Sequence, residues 1–330
     1  MKKIFFILSS IISISVFAQP SSPLETARTF MRSGDFDNAI LVLNSALKQD
    51  PKNLDLKKDL VLSYTYKRDF ARALEIVKPM LEEDDVDEQT YQVAGNVYRA
   101  LALYKDGEKM YKKALKKFPE SGPLYNEYGE MLWDTKNYSA IEQWEKGIQM
   151  APSYAGNYYN AASHYYFTKD KIWTLIYGEI FVNMESLTER STEVKKMLLD
   201  TYKQKLFTDV DDKDKKGDFE KAVAETYNKQ SSLTSRGISI ETLNMIRTRF
   251  ILDWYNTYAK KFPFTLFDYQ QQLIKEGMFE AYNAWLFGPV ENLAAFDQWT
   301  KTHSDAYAKF TNFQKGRVFK MPKGQNYQNK

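Results

Sequence analysis

The chain has 330 residues, 43% of them apolar or aromatic, no cysteine, and a formal net charge of +3. That length allows two domains and a core that needs no cross-links, while the missing cysteines rule out disulfides, a thiol-anchored lipid and cysteine-bound metal. With 46 basic residues against 43 acidic ones there is no electrostatic reason to expect nucleic acid or an anionic membrane as the main partner.

Met1-Lys2-Lys3 precedes an apolar run from Ile4 to Phe17, which reaches Val16-Phe17-Ala18 just before Gln19-Pro20. This is the pattern of a secretory signal peptide over 1–18, cleaved after Ala18. The run is shorter than the ~20 residues of a membrane span and is interrupted by Ser9, Ser10, Ser13 and Ser15, so a retained anchor fits it less well. The mature chain is therefore expected in the periplasm, without a transmembrane segment and not as a lipoprotein.

From 19 to 187 one pattern recurs. Pro51, Asp85, Pro119 and Pro152 punctuate it at intervals of 34, 34 and 33 residues. A small residue sits in the middle of each first helix (Ala27, Val61, Gly95, Gly129), with a large apolar one three further on (Phe30, Tyr64, Tyr98, Leu132). A second small set, including Ala39, Ala73, Gly107 and Ala140, falls in the partner helix. Small residues suit a close crossing of antiparallel helices, and the large ones fill the groove between successive pairs.

The first unit pairs Leu24–Arg32 with Phe36–Lys48 across Ser33-Gly34-Asp35, where Gly34 can take a positive φ and Asp35 can cap the return helix. The second runs from Leu54 to Asp84, and Pro79 should kink or shorten its return helix. The third spans Glu88–Phe118 and the fourth Gly122–Met150. A fifth, from Tyr154 to about Ser186, has an unusually apolar return helix (Ile172, Trp173, Leu175, Ile176, Phe181, Val182), as expected if later residues cover it. Glu193–Phe207 suggests a sixth leading helix.

Residues 188–234 are connecting helices and a charged linker. Thr208–Asp218 lacks the acids that a calcium loop needs at its fifth and twelfth positions, where Lys216 and Val223 stand, so it is read as a solvated connection with Asp218 capping the next helix. Residues 235–313 form a second α-helical region with an aromatic core, as the four-residue spacing of Ile246, Phe250, Trp254 and Tyr258 shows. The tail, 314–330, carries Lys315, Arg317, Lys320, Lys323 and Lys330 with no acid, and is expected to be a basic flexible segment.

Catalytic motifs are weak. His164 and His303 are the only histidines, and neither has a carboxylate at metal-ligand spacing. Ser45-Ala46-Leu47-Lys48 matches an acylation pattern but lies in a return helix whose apolar spacing already accounts for it. No catalytic, cofactor-binding or metal-ligating residue is assigned.

The 34-residue pattern resembles the tetratricopeptide repeat family, which implies an all-α solenoid of about five helix-turn-helix repeats. The aromatic segment, with Leu266-Phe267-Asp268-Tyr269 and Gly277-Met278-Phe279-Glu280-Ala281-Tyr282, is similar to the C-terminal region of predicted secreted tetratricopeptide proteins of the Bacteroidota. In that family the leading helices line a concave surface that holds peptide segments of other proteins. The register then points inward with Arg28, Arg32, Lys58, Gln92, Asn96, Arg99, Asn126, Glu130, Trp133, Tyr159, Asn160 and Tyr166. The family's carboxylate clamp for chaperone tails is not matched, because its places hold Leu24, Arg28, Asp59, Gln89 and Val93. The expected function is a non-enzymatic periplasmic adaptor for a protein or peptide partner. Two alternatives remain: glycan binding or catalysis through the aromatic domain, and an accessory role in an outer-membrane secretion or gliding machine.

Overall fold

The structure, a computed structural model, describes residues 22–168, 170–207, 217–235 and 237–328. The expected signal peptide and most of the charged run at 208–218 lie outside the described residues. Within them every regular element is helical, no helix is long and apolar enough to cross a membrane, and the chain divides into two compact units, one ending at Val86 and the other starting at Asp87.

The first unit holds α1 (Pro23–Arg32), α2 (Phe36–Gln49), α3 (Leu54–Tyr66) and α4 (Phe70–Met80). Each helix begins on a short polar side chain, Ser22, Asp35, Asn53 or Asp69, which accepts from the amide three residues on. Helix α4 carries Pro79 in its last turn, where the missing amide hydrogen removes one backbone bond, and ends at Met80. Ala27, Ala39, Val61, Ala73 and Val77 are fully buried between the crossing helices.

The period is written in the backbone itself. Gly34, Arg68, Ala102 and Lys136 stand 34 residues apart and all have positive φ, at +77°, +63°, +55° and +58°. After each, an amide reaches back five residues: Asp35 to Phe30 O, Asp69 to Tyr64 O, Leu103 to Tyr98 O and Asn137 to Leu132 O, at 2.8 to 3.0 Å. Asp170 makes the same bond to Tyr165 O. This left-handed helix ending satisfies a carbonyl that would otherwise be orphaned, and it reverses the chain into the return helix.

The second unit continues with α5 (Glu88–Ala100), α6 (Tyr104–Lys117), α7 (Gly122–Asp134), α8 (Ala140–Met150), α9 (Ala155–Thr168), α10 (Lys171–Met184) and α11 (Glu189–Asp200). Successive helices pack in turn, and leading helices α5, α7, α9 and α11 also touch one another. Glycines mark the closest crossings. A Cβ on Gly129 would meet Trp144 Nε1 at 2.3 Å, and one on Gly147 would meet Asn157 Nδ2 at 2.3 Å. Helix α11 ends in a π turn over Thr201–Lys205.

The remaining helices are α12 (Asp218–Asn228), α13 (Ile240–Thr257), α14 (Thr265–Lys275), α15 (Phe279–Glu291), α16 (Leu293–Thr302) and α17 (Ser304–Lys315). Asp218 is not the expected cap: Gly217 holds that position without a side-chain bond, and Asp218 is the first helical residue, paired with Lys261 at 3.0 Å. Phe219, Phe250, Trp254, Phe267, Tyr282 and Phe287 form an aromatic core. Burial of each such ring contributes about 2–3 kcal/mol. Every residue of α10 from Lys171 to Val182 is buried, so the apolar return helix of the fifth repeat is covered. Its Glu179 sits at the centre of a buried polar cluster, where Gln270 Nε2 donates at 2.5 Å, Tyr282 Oη at 2.7 Å, and Arg247 forms an ion pair. Arg247 also donates to Asn283 Oδ1, and the rings of Phe279, Tyr282 and Phe287 surround its guanidinium.

The described part of the tail, up to residue 328, is docked along the second unit. Phe319 and Met321 are buried, and Tyr327 stacks on Phe219 with centroids 4.6 Å apart while donating to Pro263 O at 2.8 Å. Gln325 accepts from Thr265 N at 2.7 Å, Gln328 donates to Tyr165 Oη at 2.9 Å, and Lys323 meets Glu120 at 2.6 Å. Composition alone makes 314–330 look solvated, but its few large side chains find apolar seats.

Candidate functional site on the leading helices

In the first unit the three basic candidates already have carboxylate partners. Arg28 Nε donates to Asp59 Oδ2 at 2.7 Å, Arg32 Nη2 to Glu25 Oε1 at 2.7 Å, and Lys58 Nζ lies 2.9 Å from Asp55 Oδ1. Lys58 is buried, contrary to the exposed position its register suggested; the pair with Asp55 makes that burial tolerable. Arg32 remains largely exposed.

In the second unit the candidates form a ladder whose rungs span one repeat. Gln92 Nε2 donates to Glu127 Oε1 at 2.9 Å, and Tyr111 Oη to the other oxygen at 3.2 Å. Arg99 bridges two carboxylates of α7, with Nη1 2.8 Å from Glu130 Oε2 and Nε 2.8 Å from Asp134 Oδ2. Glu130 Oε1 accepts from Asn126 at 2.8 Å and from Asn160 at 3.2 Å, and Asn160 also donates to Asn126 Oδ1 at 2.9 Å. Tyr159 and Tyr166 of α9 donate to Glu193 and Asp200 of α11, each at 2.9 Å. These last two rungs make α11 the leading helix of a sixth repeat. Asn126 is buried within the ladder, whereas Asn96 is exposed on the same face. Burial raises the Glu127 carboxyl to about 7, despite the two donors that oppose the shift.

Between α7 and α9 the ladder borders a pocket of about 190 Å³. Trp133 forms one wall, with its ring 5.8 Å from Trp144 and 5.6 Å from His164. Trp144 is fixed by donation from its Nε1 to Asn126 O at 3.2 Å. Phe167 stands at the rim, 68% exposed. His164 is 7% exposed, burial lowers its pKa, and its Nδ1 has no hydrogen-bond partner.

Arg99, Glu130, Trp133 and Asn160 of the sequence set therefore share this pocket. Gln92 lies one repeat earlier on the ladder, and Tyr159 and Tyr166 bond onward to α11. Sequence reasoning gave His164 a packing or groove role rather than a catalytic one and passed over Phe167 and Trp144. The signal for Phe167 was a large apolar residue beyond the helix's buried stripe.

Residues 30–96 match the sequence model of the tetratricopeptide repeat family. That stretch carries tetratricopeptide repeat sequence. Its chain is similar to a thermophilic TPR protein of Thermus thermophilus, at 16% identity over 54% of this chain and 97% of the other, with a TM-score of 0.45. It is similar to pilF of Pseudomonas aeruginosa at 17% identity, over 55% and 82% of the two chains, with a TM-score of 0.47. A tetratricopeptide repeat protein of Parabacteroides merdae matches at 14% identity, over 71% and 90%, with a TM-score of 0.43. No curated protein matches the chain.

Proposed function

We propose that this tetratricopeptide protein is a non-enzymatic scaffold of the periplasm that holds an extended segment of a partner protein along the leading-helix face of its second unit. The observation that carries the proposal is the pocket between α7 and α9, where a half-exposed Trp133, an exposed Phe167 and an unsatisfied His164 stand beside a polar ladder. The ladder's arginine and amides already bind neighbouring carboxylates, which makes the face rigid, so the partner gains affinity from side-chain insertion at little ordering cost. Asn96 supplies an exposed amide on the same face for the partner's backbone. Arg32 forms a separate polar patch on the first unit. The periplasmic setting is supported by the Met1–Ala18 signal pattern.

Panning a random peptide library on the mature protein tests the proposal. Selected peptides should contain one aromatic residue and lose most affinity on Phe167→Ala and Trp133→Ala, with the helical circular dichroism retained. Peptides that bind both variants as tightly as the parent protein contradict it.

A further inference from the structure

The end of the chain closes over the outer side of two helices whose inner side helps to build the repeat pocket. Gln328 is held through both ends of its carboxamide. Its Nε2 donates to Tyr165 Oη at 2.9 Å, and its Oε1 accepts from the hydroxyl of the buried Tyr177. Tyr165 in turn donates to Glu145 Oε1. One side chain of the tail thus ties α10 to α9 and, through Tyr165, to α8. Tyr327 beside it is fixed separately by its stack on Phe219 and its bond to Pro263 O. Gln325 gives the Thr265 amide at the start of α14 an acceptor that the helix's own N-cap, Phe264, does not supply.

The residues that the tail holds are chain neighbours of residues that line the pocket. Glu145 follows Trp144 on α8, and Tyr165 follows His164 on α9. Consecutive helical residues point about 100° apart, so the pocket pair and the tail pair lie on adjoining sides of the same two helices. On the pocket side Trp144 and His164 meet edge to face with centroids 6.4 Å apart, and on the tail side Glu145 and Tyr165 share a hydrogen bond. The His164 and Tyr165 rings join the two sides at 5.4 Å and 89°. Burial raises the Glu145 carboxyl to about 7 although Tyr165 donates to it, which marks the outer contact as shielded from water. The crossing itself has no slack, because a Cβ on Gly147 of α8 would lie 2.3 Å from Asn157 Nδ2 of α9.

We propose, taking the repeat pocket as the partner's seat, that the tail is a strap for that pocket: Gln328 seated behind α8 and α9 sets Trp144 and His164 in front, so tail docking and partner binding favour one another. The strap has two arrangements, seated and released. Its last residues are held by a few side-chain contacts and by no helix of their own, so they open at a lower free energy than the helices they cross. A partner side chain that enters beside Trp133 and His164 needs the seated arrangement. By linkage, it then steadies the tail by the same factor by which the tail strengthens binding.

Gln328→Ala in the full mature chain tests the strap without touching the pocket. In hydrogen–deuterium exchange the amides of α8 and α9 should exchange about 5-fold faster, while those of α5 and α6 keep the parent's rates. A lysine- and arginine-free peptide selected by panning should bind the variant about 5- to 10-fold more weakly, and should slow trypsin cleavage of the parent protein after Lys323 by a similar factor. Tyr165→Phe keeps the ring and removes the hydroxyl that Glu145 and Gln328 share. It should reproduce these effects, and Gln328→Ala added to it should change little more. Parent exchange rates at α8 and α9 in Gln328→Ala, additive losses in the double variant, or trypsin cleavage that a bound peptide does not slow would each overturn the strap. A failure of the pocket itself reads differently: if panning yields no peptide, binding along the leading helices is refuted, and the exchange rates at α8 and α9 alone decide whether the tail holds those helices.

Discussion

Gly129→Ala probes how the repeat pocket is built. The added Cβ would lie 2.3 Å from Trp144 Nε1, 2.6 Å from Cδ1 and 2.7 Å from Cε2, against an ordinary separation of about 3.5–4 Å. Trp144 is 2% exposed and is held by its bond to Asn126 O, so its ring cannot swing into solvent. It must move by about 1 Å toward Trp133 and His164, and overpacking of this size costs roughly 1–3 kcal/mol. Removing a glycine from a helix interior offsets about 1 kcal/mol of that. The net loss is about 1 kcal/mol, or a Tm lower by about 2–4 °C. Urea unfolding read by tryptophan fluorescence, together with near-ultraviolet circular dichroism, measures both the loss and the ring displacement. Gly316→Ala is the control: its nearest atoms are Asn312 O at 3.6 Å and Phe313 O at 3.8 Å, so it should stay within about 0.5 kcal/mol of the parent. If Gly129→Ala instead gains the full helix-propensity increment and leaves the near-ultraviolet spectrum unchanged, Trp144 is not wedged against α7.

Two other outcomes follow from the same geometry. Because Glu127 titrates near pH 7 in the fold and near 4.5 when unfolded, the folded state keeps a proton between those values that the unfolded chain releases. The Glu127 contribution to stability should therefore fall by about 3 kcal/mol as pH rises through that window, alongside that of Glu145, which burial also raises to about 7, and Glu127→Gln should remove its share of the slope in pH-dependent urea unfolding; an unchanged slope would contradict the burial of that carboxyl. Tyr327→Ala removes the stack on Phe219 and the bond to Pro263 and should cost about 1–2 kcal/mol. Trypsin should then cut at Lys320 and Lys323 faster than in the parent protein, and equal rates in the two would show that the tail is not seated there.

The repeat was legible because its physics is local. Small residues at helix crossings, Pro51, Pro119 and the turn residues carry the 34-residue period directly, and the backbone repeats it at Gly34, Arg68, Ala102 and Lys136. Sequence alone did not mark the last three turns, where an arginine, an alanine and a lysine take a conformation that glycine would adopt more cheaply. The leading-helix face was legible in its donors but not in its acceptors. Arg99, Asn160, Tyr159 and Tyr166 were found by register, whereas Asp134, Glu193 and Asp200, one repeat later on the facing helix, were not sought. Lys58 and Asn126 looked free for another reason: their partners Asp55 and Glu130 lie on their own helices, three and four residues away. The docked tail was illegible because its anchors join residues far apart, Tyr327 to Phe219 and Gln328 to Tyr165, and no periodicity links them.

Photo-crosslinking in the native cell envelope tests the scaffold function most directly. A benzoyl-phenylalanine placed at position 96 or 167, on the leading-helix face, should capture a protein partner in a discrete adduct identified by mass spectrometry. The same group at exposed Lys109 of the return helix α6 should capture none. Adducts from position 109 alone, or equal labelling at all three positions, would contradict binding along the leading helices.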